Sequence, residues 1–204
     1  MRVIAGTYRS RILKSLKGLA LRPTSDRLRE TLFNILGTAV AGARFVDVFA
    51  GTGAVGIEAL SRGAAEVVFI ENHLPAVALI RKNLESLGVR SGAIVLGTNA
   101  LRGLGALAAK EKGAGSTFDF VFLDPPYAAA EEYARVLRVL GSASFLAPGS
   151  VIIAEHHKKF DLPAHAGSLT RFRVLKQGDA ALSFYRLGPA DAEESNSTAS
   201  PVPS

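Results

Sequence analysis

The chain has 204 residues, 48% of them hydrophobic and 21% charged, which is typical of a water-soluble protein long enough for one α/β domain. It has no apolar run near the ~20 residues that a membrane span needs, no secretory signal pattern at its N-terminus and no cysteine. The lack of cysteine excludes disulfides and thiolate metal sites, and we expect a cytoplasmic protein with no membrane partner.

The net charge of +6 comes entirely from the N-terminal part of the sequence. Residues 1–22 contain six basic residues and no acidic one, whereas the remainder contains 18 basic and 18 acidic residues. A local basic excess attracts polyanions, above all nucleic acid, but it also suits a segment that only improves solubility. Because strand-like apolar residues accompany these charges, we expect the segment to be folded, and both interpretations stay open on charge alone.

The first elements in chain order are a hairpin and a helix. Residues 3–5 and 12–13 are strand-like and predict a short β-hairpin from which basic side chains project. After a break at residues 22–25, Thr24 or Ser25 can cap a helix with an apolar stripe. That stripe consists of Leu28, Leu32, Ile35 and Leu36, whereas Arg27, Arg29 and Glu30 lie off it.

Strands and helices alternate from residue 44 onward. Strands are predicted at residues 44–49, 66–70, 93–96, 118–123 and 150–154, with helices between them ending near Arg62, Leu87, Lys110 and Leu140. This alternation predicts an α/β fold with a doubly wound, mostly parallel sheet and helices on both faces. Residues 170–176 and 180–187 flank a short turn and predict an antiparallel hairpin that completes a seven-stranded sheet.

We expect three regions along the chain. Residues 1–21 form the basic N-terminal hairpin, and residues 22–188 form the main α/β domain. Residues 189–204 are rich in Ser, Pro, Ala and acidic residues, so this tail is predicted to be disordered.

A glycine-rich turn follows the first strand. Residues 51–56 read GTGAVG and match G-x-G-x-x-G, the fingerprint of dinucleotide sites. Ligands of open α/β sheets bind at the carboxyl ends of the strands, where Gly51 and Gly53 would let the backbone approach a ligand and Gly56 would let the helix pack closely. Glu71 ends the second strand, and a carboxylate there can accept hydrogen bonds from two ribose hydroxyls.

Two polar residues bear on which nucleotide the turn would bind. Asp47 lies within an apolar strand, where an unpaired carboxylate is costly. Its charge would oppose the pyrophosphate of NAD, whereas it would favour the ammonium and sulfonium of S-adenosylmethionine. Asn99 ends the third strand, where its amide could meet the adenine edge or could be only a polar loop residue.

The stretch FDFVFLDPPYAA, residues 118–129, is the most specific motif in the sequence. Pro125 and Pro126 lack N–H donors and hold the backbone rigidly, and Asp124 adds an acceptor at the end of the fourth strand. Tyr127 adds a flat apolar face. Together these groups suit a planar amine, which would donate two hydrogen bonds to fixed acceptors while the tyrosine ring stacks on the base.

Such a receptor fits methyl transfer to a base amine. The amine nitrogen is a poor nucleophile because its lone pair is delocalised, whereas a sulfonium methyl is strongly electrophilic. Positioning and electrostatics can therefore supply most of the catalysis, and Asp124 could take the proton after transfer or pass it to water. A base buried in a duplex cannot reach the pocket, so it must be flipped out or lie in an open strand.

The sequence resembles the bacterial 16S rRNA (guanine-N2)-methyltransferases of the RsmD type from residue 2 to about residue 187. The segments that carry the resemblance are RVIAGTYRSR at residues 2–11, RPTSDRLRETLFNIL at 22–36, DVFAGTGAVGIEALSRGA at 47–64, DPPY at 124–127 and KQGDAALSFYR at 176–186. The sequence departs from the family pattern at Ser10, where glycine is usual, and at Asn99, where the family often has an acid. Thr52 replaces the commoner serine, and Gln177 stands where tyrosine is frequent.

The resemblance implies a Rossmann-like class I S-adenosylmethionine-dependent methyltransferase fold, extended by the basic N-terminal hairpin. The implied activity is the 16S rRNA (guanine(966)-N(2))-methyltransferase reaction on an assembled or partly assembled 30S particle, and we expect a monomer. The target base is expected to contact Asp124, Pro125, Pro126 and Tyr127. The cofactor is expected to contact Asp47, Phe49, Ala50, Gly51, Thr52, Gly53, Gly56, Glu71, Asn72, Asn99 and Ala100. The basic residues expected to contact RNA are Arg2, Arg9, Arg11, Lys14, Arg22 and Arg27.

Other functions remain as alternatives. D-P-P-Y also occurs in adenine-N6 methyltransferases of DNA or RNA, and related N-P-P-Y proteins modify glutamine, although residues 2–36 favour the rRNA enzyme. Asp47 and the terminal hairpin disfavour an NAD-dependent oxidoreductase, and the intact D-P-P-Y disfavours a non-catalytic RNA-binding module. His156 and His157 could suggest a metal site, but adjacent histidines rarely share one ion, so we expect a solvated basic loop near the RNA and no metal.

Overall fold

The computed structural model describes residues 1–15, 25–112, 116–125 and 130–188. The predictions for Arg22, Thr24, Pro126, Tyr127 and the tail at residues 189–204 concern positions outside the described residues.

The described elements follow the predicted alternation closely. The helices are α1 (Asp26–Leu36), α2 (Ala54–Ser61), α3 (Leu74–Ser86), α4 (Ala100–Glu111) and α5 (Ala130–Gly141), and a 3₁₀ turn covers Gly37–Val40. The strands are β1 (Arg44–Val48), β2 (Glu66–Glu71), β3 (Ala93–Gly97), β4 (Phe118–Leu123), β5 (Leu146–His157), β6 (His165–Ala166), β7 (Leu169–Gln177) and β8 (Ala180–Leu187). None of the described helices is long and apolar enough to cross a membrane.

The strands form one sheet in the order β3-β2-β1-β4-β5-β8-β7-β6. Neighbouring strands from β3 to β5 run parallel, and β8, β7 and β6 follow in antiparallel pairs, so the predicted terminal hairpin is confirmed. The predicted number of seven strands was wrong by one, because the two-residue strand β6 also pairs with β7. Strand β5 is also longer than predicted, and its pairing with β4 shifts register between Phe118 and Phe120.

Two hydrophobic cores lie on opposite faces of this sheet. Alternate strand residues point to opposite faces, so Phe45 joins one core and its neighbour Val46 joins the other. The first core lies under α1, α2, α3 and the N-terminal segment, and the second lies under α4 and α5. The strand order reverses between β1 and β4, which is where open α/β sheets bind their ligands.

The N-terminal segment packs on this core through Val3 and Leu13, which are both buried. The pairing of its two arms is limited to one antiparallel bridge between Arg2 and Ile12, and the Ser10 N–H also donates to the Val3 carbonyl at 2.9 Å. The segment is also bound to α2, because the backbone N–H groups of Ile4 and Ala5 donate to the Glu58 carboxylate at 2.8 and 3.0 Å.

Helix α1 begins as predicted, because the Ser25 hydroxyl accepts a hydrogen bond from the Leu28 N–H. Arg29 lies off the predicted apolar stripe, yet its side chain is fully buried. Its guanidinium donates to the Arg2 carbonyl at 2.6 Å and to the Asp26 carboxylate at 3.0 Å, and its Nε lies 3.8 Å from a Glu58 oxygen. A polar contact between α1, α2 and the N-terminal segment therefore interrupts the apolar core.

Candidate active site

The loop that follows β1 turns sharply at the carboxyl end of the strand. Gly53, which precedes α2, has a φ of +77°, a conformation that glycine adopts readily. Phe49 also has a positive φ of 63°, which is uncommon for a large side chain and costs of order 1–3 kcal/mol. Strained backbone of this kind persists where the surrounding structure imposes it, often at ligand sites.

Gly56 allows α2 to pack tightly against the sheet. A Cβ atom at this position would lie 2.3 Å from Cε1 of Phe69 and 2.9 Å from Cγ1 of Val67 on β2. No side chain fits in that space, so the close helix–strand packing predicted from the glycine pattern is present. It brings the first turn of α2 against the side chains of Val67 and Phe69 on β2.

Asp47 lies beneath the loop and is only 2% exposed. Its Oδ2 accepts a hydrogen bond from the Gly56 N–H at 2.8 Å, so the carboxylate that would be costly alone in the strand has a partner in α2. Burial raises the pKa of Asp47 to about 8, the Gly56 hydrogen bond acts in the opposite direction, and the nearby Glu71 charge raises the pKa further. A cation bound close to Asp47 would favour its ionised form.

Glu71 holds the loop at the end of β2. Its Oε2 accepts from the Gly51 N–H at 2.7 Å and its Oε1 accepts from the His73 N–H at 2.8 Å. The side chain is largely buried, with 9% exposure. Each carboxylate oxygen can accept more than one hydrogen bond, so Glu71 can both fix Gly51 and receive ligand hydroxyls.

The remaining predicted cofactor residues lie along the same edge of the sheet. Asn99 precedes α4, and its Oδ1 accepts from the Arg102 N–H at 2.9 Å, so the side chain caps the helix. This capping role was not anticipated from the sequence, and a contact with adenine stays a prediction. Asn72 is exposed after β2, Ala50 and Ala100 are buried, and Phe49 and Thr52 are partly exposed.

Asp124 and Pro125 follow β4 next to this loop. The Asp124 N–H donates to the Val48 carbonyl at 3.4 Å, which places the predicted catalytic motif beside the end of β1. Asp124 is partly exposed and Pro125 is buried. The structure therefore brings Asp47, Glu71 and Asp124 to one edge of the sheet. Within the described ranges no group of three or more His, Cys, Asp or Glu side chains could hold a metal ion.

The basic residues predicted to contact RNA project from the surface. Arg9 is exposed, and the exposed Arg11 donates to the Ser86 carbonyl at the end of α3 at 2.9 Å. Lys14 is also exposed, but its backbone is bound by the buried side chain of Asn83. The other described residues of this set, Arg2 and Arg27, are exposed as well.

The prediction of a solvated basic loop is wrong for His156. This residue belongs to β5, is 3% exposed, and places Nε2 2.9 Å from the Ser183 hydroxyl. Burial lowers the pKa of His156, so the neutral imidazole is favoured in this position. The local sequence did not indicate this burial, because His156 follows the apolar residues of β5 and does not itself resemble a buried strand residue.

Sequence comparisons place this architecture among known proteins. A family model described as conserved hypothetical protein 95 matches residues 1–186. The ribosomal RNA small subunit methyltransferase D of Escherichia coli strain K12 is 35% identical over 95% of this chain and 94% of its own length. The protein of the same name from Haemophilus influenzae is 36% identical over 92% of each chain.

A comparison of structures gives the same architecture. The solved structure of a hypothetical protein from Thermus thermophilus superposes with a TM-score of 0.73 and 30% sequence identity. The match covers 90% of this chain and 98% of the Thermus chain. The similarity therefore extends over nearly the whole described fold.

Proposed function

The chain belongs to the RsmD-type family that the conserved hypothetical protein 95 model represents, and from this membership we propose a specific reaction. It transfers a methyl group from S-adenosylmethionine to the exocyclic N2 of one guanine in 16S rRNA, as the 16S rRNA (guanine(966)-N(2))-methyltransferase. The observation that carries the proposal is the position of Asp124 and Pro125 beside a strained loop that Glu71 fixes.

The described residues fit S-adenosylmethionine. Glu71 offers further acceptor positions for ribose hydroxyls at the end of β2, next to the backbone of Gly51. Asp47 and Glu71 supply acidic groups for a cationic ligand, and binding of that cation would offset the burial that raises the pKa of Asp47. When bound, the cofactor supplies an electrophilic methyl group.

The residues of the D-P-P-Y motif would act on the target amine. Asp124 and the rigid backbone at Pro125 would accept its N–H groups and orient the nitrogen lone pair towards the methyl carbon. The N–C bond forms as the S–C bond breaks, and the leaving thioether is neutral. The proton lost from nitrogen goes to Asp124 or through it to water.

The direct test is to identify the methylated base. The purified chain is incubated with isotope-labelled S-adenosylmethionine and either deproteinised 16S rRNA or 30S particles, and the nucleosides are separated by mass spectrometry. We expect label in N2-methylguanosine, and primer extension then gives the nucleotide. Label in N6-methyladenosine would contradict the choice of base. If separate titrations show that NADH binds and S-adenosylhomocysteine does not, the methyltransferase reaction itself is contradicted.

The exposed basic residues of the N-terminal segment are expected to bind the rRNA backbone. Replacing Arg9, Arg11 and Lys14 with Ala should weaken rRNA binding and reduce the slope of log affinity against log salt. The slope should fall by about 2 to 3, since each lost phosphate contact contributes roughly 0.7–0.9. Filter binding or fluorescence anisotropy over a series of salt concentrations measures both quantities.

A matched control removes the same charge elsewhere. Arg102, Lys110 and Lys112 are exposed on or just after α4, on the opposite face of the sheet. Changing these three to Ala should leave the salt slope close to that of the unmodified chain. If the slope of log affinity against log salt falls equally in both triple variants, net charge alone explains the effect, and the N-terminal segment has no specific part in binding.

A further inference from the structure

Asn83 on α3 has a fully buried side chain that uses all of its hydrogen-bonding groups. Its Oδ1 accepts from the Lys14 N–H at 2.9 Å, and its Nδ2 donates to the Lys14 carbonyl at 3.2 Å. The same Nδ2 donates to the carbonyl of Thr52 at 3.3 Å. One side chain therefore binds the backbone of the basic N-terminal segment and the backbone of the loop after β1.

A second contact joins the same two parts of the molecule. The Thr52 hydroxyl lies 3.8 Å from the sulfur of Met1, within hydrogen-bonding distance for sulfur. The Arg11 guanidinium also binds the last turn of α3 through the Ser86 carbonyl. Thr52, which belongs to the loop that Glu71 holds, thus contacts both Asn83 and the N-terminal segment.

The burial of Asn83 makes its two partners depend on each other. A buried amide that loses a hydrogen-bond partner carries an unfavourable desolvation free energy. If the loop moves away from Asn83, the hydrogen bonds between Asn83 and Lys14 are weakened. If residues 1–15 move away, the hydrogen bond between Asn83 and Thr52 is weakened in the same way. Ordering of the loop therefore stabilises the docked position of residues 1–15.

We propose that Asn83 is a positioning residue that couples the cofactor loop to the N-terminal basic segment. This inference rests on the proposed function, in which the loop binds S-adenosylmethionine and the segment binds rRNA. Occupation of the loop raises rRNA affinity, and rRNA raises cofactor affinity by the same factor, because coupling between two sites is reciprocal. Asn83 touches neither the methyl group nor the target base; it acts through Thr52 and Lys14.

The test compares affinities with and without the cofactor product. Dissociation constants for deproteinised 16S rRNA are measured by fluorescence anisotropy in the absence and presence of saturating S-adenosylhomocysteine. For the unmodified chain we expect tighter rRNA binding with S-adenosylhomocysteine, by about 5-fold or more. In Asn83→Leu, which has a similar volume but no hydrogen bonds, the ratio of the two constants should fall to about one.

Two further variants test the coupling, and the second of them separates it from simple docking of the N-terminal segment. Asn83→Asp keeps the acceptor for the Lys14 N–H but loses the Nδ2 donor to the carbonyls of both Lys14 and Thr52, so the ratio of the two dissociation constants should again fall to about one. Ser61→Ala removes contacts of the Ser61 hydroxyl with Tyr8 and Ala5 but none with the loop. It should weaken rRNA binding equally with and without S-adenosylhomocysteine and leave the ratio intact.

A measurement on the unmodified chain covers the case in which the Asn83 variants do not fold. Hydrogen–deuterium exchange should show slower exchange in residues 1–15 when S-adenosylhomocysteine is added. Three results would each overturn the coupling. The first is unchanged exchange in residues 1–15. The others are equal rRNA affinities of the unmodified chain with and without S-adenosylhomocysteine, and an affinity ratio that both Asn83 variants retain. Failure of the unmodified chain to bind S-adenosylhomocysteine or rRNA would instead overturn the proposed function.

Discussion

Asp124→Ala should reduce the rate of methyl transfer by about 10³-fold or more, within the range that a positioned proton acceptor and fixed hydrogen-bond partners supply together. The variant removes the carboxylate that would receive the amine N–H, while the backbone around Pro125 stays in place. Cofactor affinity should change little, because Glu71 holds Gly51 of the loop and Asp47 holds Gly56 of α2. Single-turnover transfer to 16S rRNA and titration with S-adenosylhomocysteine measure the two quantities separately.

Asp124→Asn provides a matched control for this variant. The amide keeps an oxygen that can accept from the amine but cannot take its proton, so we expect a rate between those of the unmodified chain and the alanine variant. Full activity of Asp124→Ala would refute the assignment of Asp124 to the reaction. A loss of cofactor affinity as large as the loss of rate would show instead that Asp124 supports the cofactor site.

Glu58→Ala should lower the free energy of unfolding by about 3–5 kcal/mol, the cost of breaking a buried ion pair from one side. The Glu58 carboxylate is fully buried, binds the Arg62 guanidinium at 2.8 Å, and accepts from the N–H groups of Ile4 and Ala5. Its loss leaves the buried Arg29 without its nearest charge on α2. Urea denaturation followed by circular dichroism measures the change.

Glu85→Ala is the control for that stability experiment. Glu85 is an exposed glutamate on α3, and surface substitutions away from special features usually change stability by about 0.5 kcal/mol or less. Glu58→Ala should also increase exchange or proteolysis of residues 1–15, because two of their backbone hydrogen bonds are lost. Equal stability of the two glutamate variants would contradict the importance assigned to the Glu58 contacts.

The fold was largely predictable because its signals are local. Buried parallel strands read as short apolar runs, and the helices between them end at recognisable residues, so strands such as β4 were predicted with their observed ends. Strand β5 was predicted too short because its ends carry Pro148, Gly149 and two histidines, which do not resemble a strand in isolation. Pairing with β8 keeps the two histidines extended, whereas Pro148 and Gly149 lie where the pairing with β4 shifts register.

The candidate site was predictable only in part. Gly56 could be assigned to close packing because a G-x-G-x-x-G turn after a strand has a known geometry, and the structure contains that contact. The hydrogen bonds that hold the turn were not predictable. Glu71 reaches Gly51 across 20 residues of chain, and Asn99 caps α4 with the side chain expected to face a ligand.

Local sequence was enough to give the order of strands and helices, the glycine turn, the D-P-P-Y motif and the location of the basic charge. These features depend on residues close together in the chain, where spacing and residue type carry the information. Packing between distant segments decided how Glu58 and Asn83 hold the N-terminal segment, and that Arg29 and His156 are buried. Asn83 lies 69 residues from Lys14 and 31 from Thr52, and such pairings form only when the folded chain brings distant segments into contact.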